Sequence, residues 1–211
     1  MNSRYTYDNY KDILINKAHL TSQKELNEFE TIHTYRRLSE LALEEGVIGK
    51  FNIEHLKDLH KHIFQDVYLD KMEMAAANLK GKLSIRGEFR QENIAKGNFQ
   101  FANARFVESA LNYLLNVELK NDNYLKGLSL DEFIRKITYY LAELNVIHPF
   151  REGNGRTTRE FIRQLSLSAG YNLDWGLLDN KKDDFMEAMI ASVSNTLKLE
   201  EILSQIIQKS I

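Results

Sequence analysis

The feature that most constrains this chain is a twelve-residue stretch, residues 148–159, with the sequence HPFREGNGRTTR. It contains the only proline of the 211 residues and two of the ten glycines, together with a histidine, a carboxylate and three arginines. Long segments with apolar residues at helical spacing lie on both sides of it. The chain must therefore end one helix, turn through a glycine-rich loop and begin another, which is how a binding loop is built on a rigid scaffold.

The helix before the loop is predicted at residues 130–147. Ser129 and Glu132 form the ends of a capping box, and six apolar residues follow at helical spacing: Phe133, Ile134, Ile137, Leu141, Leu144 and Ile147. Pro149 ends this helix, because the residue before a proline is pushed out of helical geometry. His148 is therefore expected at the helix exit, with its imidazole free to face a cleft and act as a general base.

The helix after the loop is predicted to begin at about 154–156 and to run to Gly170. Its N-terminus presents unpaired N–H groups and a positive dipole, which favour an anion. Arg156 and Arg159 lie in the same region, where their charge opposes that dipole unless a polyanion fills the site. A nucleotide triphosphate satisfies both, and Glu152 would hold its divalent cation. The alternative is a glycine-rich turn with solvated arginines.

The stretch resembles the signature of the Fic family, His-Pro-Phe-x-(Asp/Glu)-Gly-Asn-Gly-Arg-x-x-Arg, and every specified position is filled. The flanking chain is also similar to the family, from the Asn16-Lys17 region through the FQDVY run at 64–68 to Ala191-Ser192. The resemblance implies an all-α fold, a Fic-type helical bundle with a small β-hairpin flap beside the active-site loop. The expected organisation is an N-terminal arm at 1–22 and a single Fic domain at 23–211.

The activity implied by the resemblance is adenylyl transfer, in which the AMP of ATP moves to a Ser, Thr or Tyr hydroxyl of a target protein and pyrophosphate leaves. His148 would deprotonate the hydroxyl, and Glu152 would bind the Mg²⁺ that bridges the α- and β-phosphates. The remaining signature positions would bind the phosphates, as an anion hole and as β- and γ-phosphate ligands: Gly153, Asn154, Gly155, Arg156 and Arg159. Phe150 would pack inward. In-line transfer of this kind needs positioning and charge neutralisation more than covalent help.

Residues 87–101 are predicted to form a β-hairpin, because two short alternating runs flank a glycine turn at 96–98. In the Fic family the matching hairpin is the flap, whose free edge pairs with an extended segment of the target. The resemblance thus assigns target binding to consecutive flap residues: Ile94, Ala95, Lys96, Gly97 and Asn98. An unpaired strand edge suits this role. The alternative is a hairpin that only covers the core.

The other segments are predicted mainly from apolar spacing. Residues 1–22 are expected to be extended, with at most one short helix, and helices are expected at 23–45 closed by Gly46, at 52–68 capped by Asn52, at 104–119, and once or twice within 181–209. A short helix ended by Gly81 is expected within 69–86. Arg36 and Arg37 are predicted to be solvated, and the histidines of the second helix, His55, His60 and His62, to be surface or boundary residues.

Composition excludes several function classes. Hydrophobic content of 43% and charged content of 27% are ordinary for a soluble protein, and a net charge of −2 gives no electrostatic case for nucleic acid or an acidic membrane. The absence of cysteine excludes disulfides and thiolate metal sites, and no stretch approaches the length of a spanning helix. A cytoplasmic protein without direct nucleic-acid or membrane partners is expected.

Many Fic proteins carry an inhibitory helix, (Ser/Thr)-x-x-x-Glu-(Gly/Asn), whose glutamate pairs with the second signature arginine, here Arg159. Thr21 to Glu25, Ser84 to Glu88 and Thr196 to Glu200 fit the first five positions, but Leu, Phe and Glu follow them where Gly or Asn is expected. The hypothesis is that a separate small antitoxin supplies this helix and that the chain resembles the toxin half of a two-protein module. Toxin-type relatives modify type II topoisomerase subunits, while secreted relatives modify host GTPases. The short chain favours the first class, so DNA gyrase and topoisomerase IV subunits are candidate targets, and self-modification is a separate candidate.

Two other readings stay open at the sequence level. The same scaffold in family relatives uses other nucleotides, moves phosphocholine, transfers phosphate or removes AMP. The chain would alternatively be a nucleotide-responsive interaction module without catalysis. The intact signature favours AMP transfer, because the phosphate-transferring branch departs from Gly-Asn-Gly.

Overall fold

Helices dominate the structure, a computed structural model that describes residues 3–43, 47–97 and 99–210. The α-helices are α1 (Gln23–Ala42), α2 (Ile53–Ile63), α3 (Lys71–Ala76), α4 (Val107–Leu111), α5 (Leu119–Asn121), α6 (Leu130–Ile147), α7 (Asn154–Ser168), α8 (Lys182–Ala191) and α9 (Leu197–Ser204). A π-helical segment, Asn112–Glu118, joins α4 to α5. No helix in the described part of the chain is long and apolar enough to cross a membrane.

Strands form two small antiparallel pairs within the described ranges. β1 (Ala95–Lys96) pairs with β2 (Phe99–Gln100), with Ala95 opposite Gln100. β3 (Tyr171–Leu173) pairs with β4 (Ile207–Lys209), with Asn172 opposite Gln208. The prediction of an all-α protein with a small β-hairpin is therefore confirmed.

The core is built around α6, whose observed bounds match the prediction. The capping box between Ser129 and Glu132 is present. Apolar side chains on successive turns are buried along the whole helix: Phe133, Ile137, Leu141, Leu144 and Ile147. α7 packs against both α6 and α2. Two well-packed helices thus hold the two ends of the signature loop, so the loop between them is fixed at both sides.

The N-terminal arm is extended, as predicted, and residues 3–22 contain no helix. Thr6 and Leu14 form an isolated antiparallel bridge. Tyr5 is buried, and its hydroxyl accepts a hydrogen bond from the Gln91 backbone N–H at 2.8 Å. A few buried anchors such as Tyr5 are enough to hold an extended segment in place, so its sequence shows little periodicity. The domain boundary at residue 22 stays a prediction.

Several expectations about the helices were wrong in detail. α2 ends at Ile63, and turns complete the run to Tyr68. α3 ends before Asn78, which adopts a left-handed conformation three residues ahead of the expected stop at Gly81. The segment 181–209 contains α8 and α9 but also β4. The predicted closure of α1 by Gly46 lies outside the described residues.

Side-chain environments were also mispredicted in the first two helices. Arg37 is not simply solvated, because it forms a bidentate ion pair with Asp66, at 2.6 and 2.9 Å, and a second pair with Glu40. His55 and His60 are buried rather than superficial. The N-cap at Asn52 is confirmed, since its side chain accepts a hydrogen bond from the His55 N–H.

Candidate active site

His148 ends α6 in a left-handed conformation, with φ of 47° and ψ of 64°. The geometry disfavoured by Pro149 is right-handed helix, and the left-handed turn takes the chain sharply away from the helix axis. The imidazole Nδ1 lies 3.2 Å from the Asn145 carbonyl oxygen. Because a carbonyl only accepts, Nδ1 carries the proton and Nε2 keeps its lone pair. The ring stacks on Phe101, with centroids 3.7 Å apart.

Burial lowers the pKa of His148 to about 4, and the nearby positive charges of Arg90 and Lys96 lower it further, against the opposing hydrogen bond to Asn145. Removal from water disfavours the charged imidazolium. The side chain is therefore neutral at physiological pH. A neutral imidazole with Nε2 available has the form that a general base requires.

The loop after His148 is closed by the side chain of Asn154. Its Oδ1 accepts from the Phe150 N–H, and its Nδ2 donates to the Phe150 carbonyl, both at 2.8 Å. Phe150 packs inward as predicted, with its ring stacked 3.9 Å from the ring of His60. The Asn154 side chain thus braces the loop. These bonds leave its backbone N–H and the second hydrogen of Nδ2 unused, and either can donate to the predicted anion hole.

α7 begins directly at this loop and presents its N-terminus to the site. The first helical hydrogen bond joins the Thr157 N–H to the Gly153 carbonyl at 3.1 Å. The N–H groups of the residues before Thr157 in α7 therefore have no acceptor within the helix. Gly153 has φ of +79°, and a Cβ there would overlap the ring of Phe64. Asn154 and Gly155 line the cavity described below. The helix start is therefore a close-approach site for an anion.

The two signature arginines have different environments, although both were predicted to bind phosphate. Arg159 lines the cavity, and in the described residues no side chain forms an ion pair or hydrogen bond with its guanidinium. Burial, together with the charge of Arg156, lowers its pKa. Arg156 instead pairs with Glu30 of α1, and its Nη1 donates to Thr34 at 3.1 Å. Of the two signature arginines predicted to bind phosphate, Arg159 is the one that lines the cavity.

Glu152 lines the cavity with a side chain that is 42% exposed. Its Oε1 accepts from the Gly153 N–H at 2.8 Å and lies 3.7 Å from Arg156 Nη2. No cluster of three or more His, Cys, Asp or Glu side chains suited to a metal occurs in the described ranges. A single carboxylate fits a magnesium ion whose other ligands are phosphates and water, because Mg²⁺ usually keeps several waters and takes one or two protein carboxylates.

A cavity of about 490 Å³ joins these groups. The signature residues form its floor, and α8 supplies an apolar wall: Phe185, Met186, Met189 and Ile190. The hairpin segment also contributes lining residues: Lys96, Gly97, Phe99 and Phe101. A larger cavity, about 640 Å³, is lined by Val47, Phe51, Tyr124 and Gln164 among others, and contains none of the predicted site residues. The smaller cavity is the candidate site because the chemistry lies there.

The predicted flap is a shorter hairpin than its sequence suggested. Ala95 and Lys96 form β1, Gly97 follows with φ of +58°, and Ile94 flanks the strand by accepting from the Phe101 N–H at 3.3 Å. Asn98 lies outside the described residues. Lys96 and Gly97 are exposed and line the cavity. The hairpin therefore lies beside His148, as a target-binding role requires.

Two buried residues of the site were missed from the sequence. His60 accepts from the Gly87 N–H through Nδ1 and donates to the Glu152 carbonyl through Nε2, each at 3.0 Å. Complete burial lowers its pKa to about 3. Its burial could have been predicted from spacing, because His60 lies four residues from the apolar residues Leu56 and Phe64, which are both buried. The second missed residue, Arg90, has no such signal.

The fold and site define a member of the Fic class of proteins. The Fic/DOC family model matches residues 50–166, more than half of the chain. The chain belongs to this family.

Two relatives in sequence carry informative names. Protein adenylyltransferase VbhT of Bartonella schoenbuchensis is 34% identical over 210 residues, which cover 100% of this chain and 39% of VbhT. The probable protein adenylyltransferase y4lH of Sinorhizobium fredii is 36% identical over 185 residues, 88% of this chain and 85% of that protein. The chain thus spans well under half of the first relative and most of the second.

Solved Fic-domain structures share the fold over the whole chain. BepC of Bartonella tribocorum, with bound AMPPNP, has a TM-score of 0.84 at 21% identity and covers 100% of this chain and 99% of that chain. The N-terminal Fic domain of a putative cell filamentation protein from Bartonella quintana, with bound ADP, has a TM-score of 0.85 at 24% identity, with coverage of 100% and 97%.

Proposed function

We propose that this chain is a protein adenylyltransferase that moves AMP from ATP to a hydroxyl of a target protein, with His148 as the general base. The observation that carries the proposal is the state of His148, which is neutral, has its Nδ1 bound to Asn145 and borders a cavity with Arg159 and the start of α7. The names of the sequence relatives support the same activity.

The chemistry uses the side chains that border the cavity. His148 Nε2 takes the proton of the target hydroxyl, whose oxygen attacks the α-phosphorus of ATP. The bond between that phosphorus and the oxygen bridging to the β-phosphate breaks, and pyrophosphate leaves. The product is AMP joined to the target through a phosphodiester, and the protonated His148 returns its proton to solvent.

ATP is the proposed nucleotide. The N–H groups at the start of α7 and Arg159, whose guanidinium has no side-chain partner among the described residues, would hold its phosphates. The apolar wall from α8 offers a surface for the adenine base. Similar Fic structures have bound AMPPNP and ADP. Arg156 would serve as a phosphate ligand only after release from Glu30, so Arg159 is assigned the main role.

Glu152 is the proposed magnesium ligand, together with the phosphates of the nucleotide. Bound there, Mg²⁺ would neutralise developing phosphate charge. The Gly153 N–H orients one oxygen of Glu152, and no described hydrogen bond uses the other oxygen. The protein contributes the orientation of this carboxylate.

The proposed partners are a hydroxyl-bearing target and a separate inhibitor. An extended target segment would pair with the exposed edge of the hairpin, which lies beside His148. DNA gyrase or topoisomerase IV subunits, and the chain itself, remain the candidate targets. The absence of a side-chain partner for Arg159 in the described residues supports an inhibitory glutamate supplied by an antitoxin.

The test uses purified protein, ATP labelled at the α-phosphate, Mg²⁺ and bacterial lysate. The wild type should transfer label to protein, and His148→Ala should lose roughly 10²–10⁴-fold of the rate. His19→Ala is the matched control, because His19 is an exposed histidine that also has a positive φ of 54°. Equal labelling by His148→Ala and the wild type would overturn the assignment of the base. Tight ATP binding with no labelling of any protein would point to a binding module.

A further inference from the structure

Arg90 is the largest side chain in the structure with almost no exposure, at 2%. It lies at the root of the hairpin, five residues before β1. No carboxylate forms an ion pair with it in the described residues. Burying an unpaired charge costs free energy unless other groups form hydrogen bonds with it.

The compensation comes from main-chain carbonyl groups. Arg90 Nε donates to the His148 carbonyl at 2.8 Å, and Nη2 donates to the Ile147 carbonyl at 3.1 Å. Nη1 donates to the Glu92 carbonyl at 3.0 Å, and Nη2 also donates to the Ala102 carbonyl. The backbone N–H of Arg90 donates to the Pro149 carbonyl at 2.8 Å.

Three of these carbonyls belong to the end of α6 and the start of the signature loop. A helix C-terminus leaves carbonyls without helical partners and carries a partial negative charge, and a guanidinium there satisfies both needs. The carbonyls lie on both sides of the left-handed turn at His148 and on His148 itself. Arg90 therefore holds the backbone conformation from which the imidazole projects.

The other two carbonyls belong to the hairpin. Glu92 precedes β1, and Ala102 follows β2, so the same guanidinium joins the two legs of the hairpin below its strands. One side chain thus connects the proposed base to the proposed target-binding element. Only a guanidinium, which is planar and has five N–H donors, can donate to carbonyls in these separate directions at once.

We propose that Arg90 is a positioning residue, which fixes His148 at the end of α6 and ties the root of the hairpin to it, so that the base and the target hydroxyl are held in register. This inference rests on the proposed function. Arg90 does not line the cavity, so it does not act on the nucleotide directly.

The test compares Arg90→Lys and Arg90→Met with wild type, and uses Arg135→Met as the control because Arg135 is an exposed arginine on α6. Imidazole ¹H–¹⁵N spectra of the ligand-free proteins report the tautomer of His148. ATP affinity by calorimetry and kcat for label transfer report function. The spectra need no active enzyme, so they test positioning even if the proposed activity fails.

In wild type and Arg135→Met we expect the single Nδ1–H tautomer. Both Arg90 variants should populate a mixture of tautomers and lose kcat by about 10–100-fold with ATP affinity within roughly threefold of wild type, as expected for a base displaced by an ångström. If Arg90→Met does not fold, Arg90→Lys alone tests the proposal, because lysine keeps the positive charge but lacks the planar guanidinium with its five donors. A folded Arg90→Lys variant with one tautomer and wild-type kcat would overturn the proposal.

Discussion

Two histidines near the signature loop are neutral for the same physical reason, which is their removal from water. Burial lowers the pKa of His60 to about 3 and that of His148 to about 4. In the unfolded chain an imidazole titrates near 6.5. Between these values the unfolded state binds more protons than the folded state, so the free energy of unfolding decreases as the pH falls through this window.

His60→Gln should make the stability of the protein less dependent on pH. Removing one histidine that is protonated only on unfolding should reduce the slope by about 1 kcal/mol per pH unit between pH 6 and pH 5. Urea unfolding at several pH values measures this, and the slope rather than the absolute stability is the quantity compared. An unchanged slope in His60→Gln would contradict the neutral state of His60.

Gly153→Ala should destabilise the protein more than another substitution at positive φ. Gly81→Ala is the matched control, because Gly81 has φ of +78° with no atom near the position of a Cβ. The control should cost about 1–2 kcal/mol for the left-handed backbone alone. At Gly153 the methyl group also overlaps Phe64, which should add about 1–3 kcal/mol. Equal losses in the two variants, measured by urea unfolding, would show that the contact with Phe64 relaxes.

Residue roles were predictable where the type of residue limits its chemistry. His148 was placed correctly beside a cavity because a proline fixes where its helix must end. The roles of Arg90 and Arg156 were not predictable, because each depends on which distant groups the fold brings within reach. The carbonyls bound by Arg90 and the carboxylate bound by Arg156 are separated from them by up to 126 positions in sequence.

At the scale of elements, α1 is attached to α7 by a polar network. Glu30 accepts from both Arg156 and the hydroxyl of Tyr68, and Thr34 accepts from Arg156 at 3.1 Å. The Arg156 guanidinium also lies over the ring of Phe64, 4.8 Å from its centroid. The signature arginine thus links α1, the turn after α2 and α7 in this structure.

A double-mutant cycle tests that network. Glu30→Gln and Arg156→Met should show a coupling free energy of about 1–3 kcal/mol, because both side chains are mostly buried and share several partners. The exposed pair Lys24–Glu28, 4.0 Å apart on α1, is the control and should couple by about 0.3–0.5 kcal/mol. Urea unfolding of the four variants in each cycle provides the values. Similar coupling in the two pairs would argue against an attachment role for Glu30.

Element boundaries were most predictable where capping and apolar spacing agreed. α6 has both a capping box and a continuous buried stripe, and its bounds were predicted correctly. α3 and the arm were less predictable because their apolar residues are few and their ends depend on tertiary contacts. Arg86, for example, forms an ion pair with Asp70 at the N-cap of α3, and no local sequence pattern predicts that pair.

At the scale of the whole molecule, the contacts of the described residues predict that the glutamates of the partial inhibitory motifs do not restrain the proposed activity. Three glutamates fit part of the inhibitory motif, and none of them pairs with Arg159 within the described ranges. Glu25 lies exposed in the first turn of α1, Glu88 pairs with Lys71 at 2.8 Å, and Glu200 lies in α9. Arg159, which an inhibitory glutamate would bind, therefore remains accessible to other ligands such as a phosphate.

Replacing these glutamates by glutamine, one at a time, should leave the rate of label transfer within roughly twofold of wild type, since surface substitutions rarely shift energies further. Arg159→Met is the contrasting variant and should lose about 10²–10³-fold, as expected when a donor to transition-state charge is removed. Initial rates with α-labelled ATP provide the comparison. A tenfold gain in any glutamine variant would show that inhibition is built into the chain.

The connection of the hairpin root to His148 also sets a boundary for engineering. Ile94 and Phe101 are joined by a backbone hydrogen bond, and Phe101 stacks on His148. The described residues inside that pair, 95–97, 99 and 100, form no hydrogen bond with Arg90 or with the end of α6. An exchange of hairpin tips between family members, made to test the proposed target-binding role, should therefore keep Ile94 and Phe101, because a graft that crosses this pair replaces part of the support of His148.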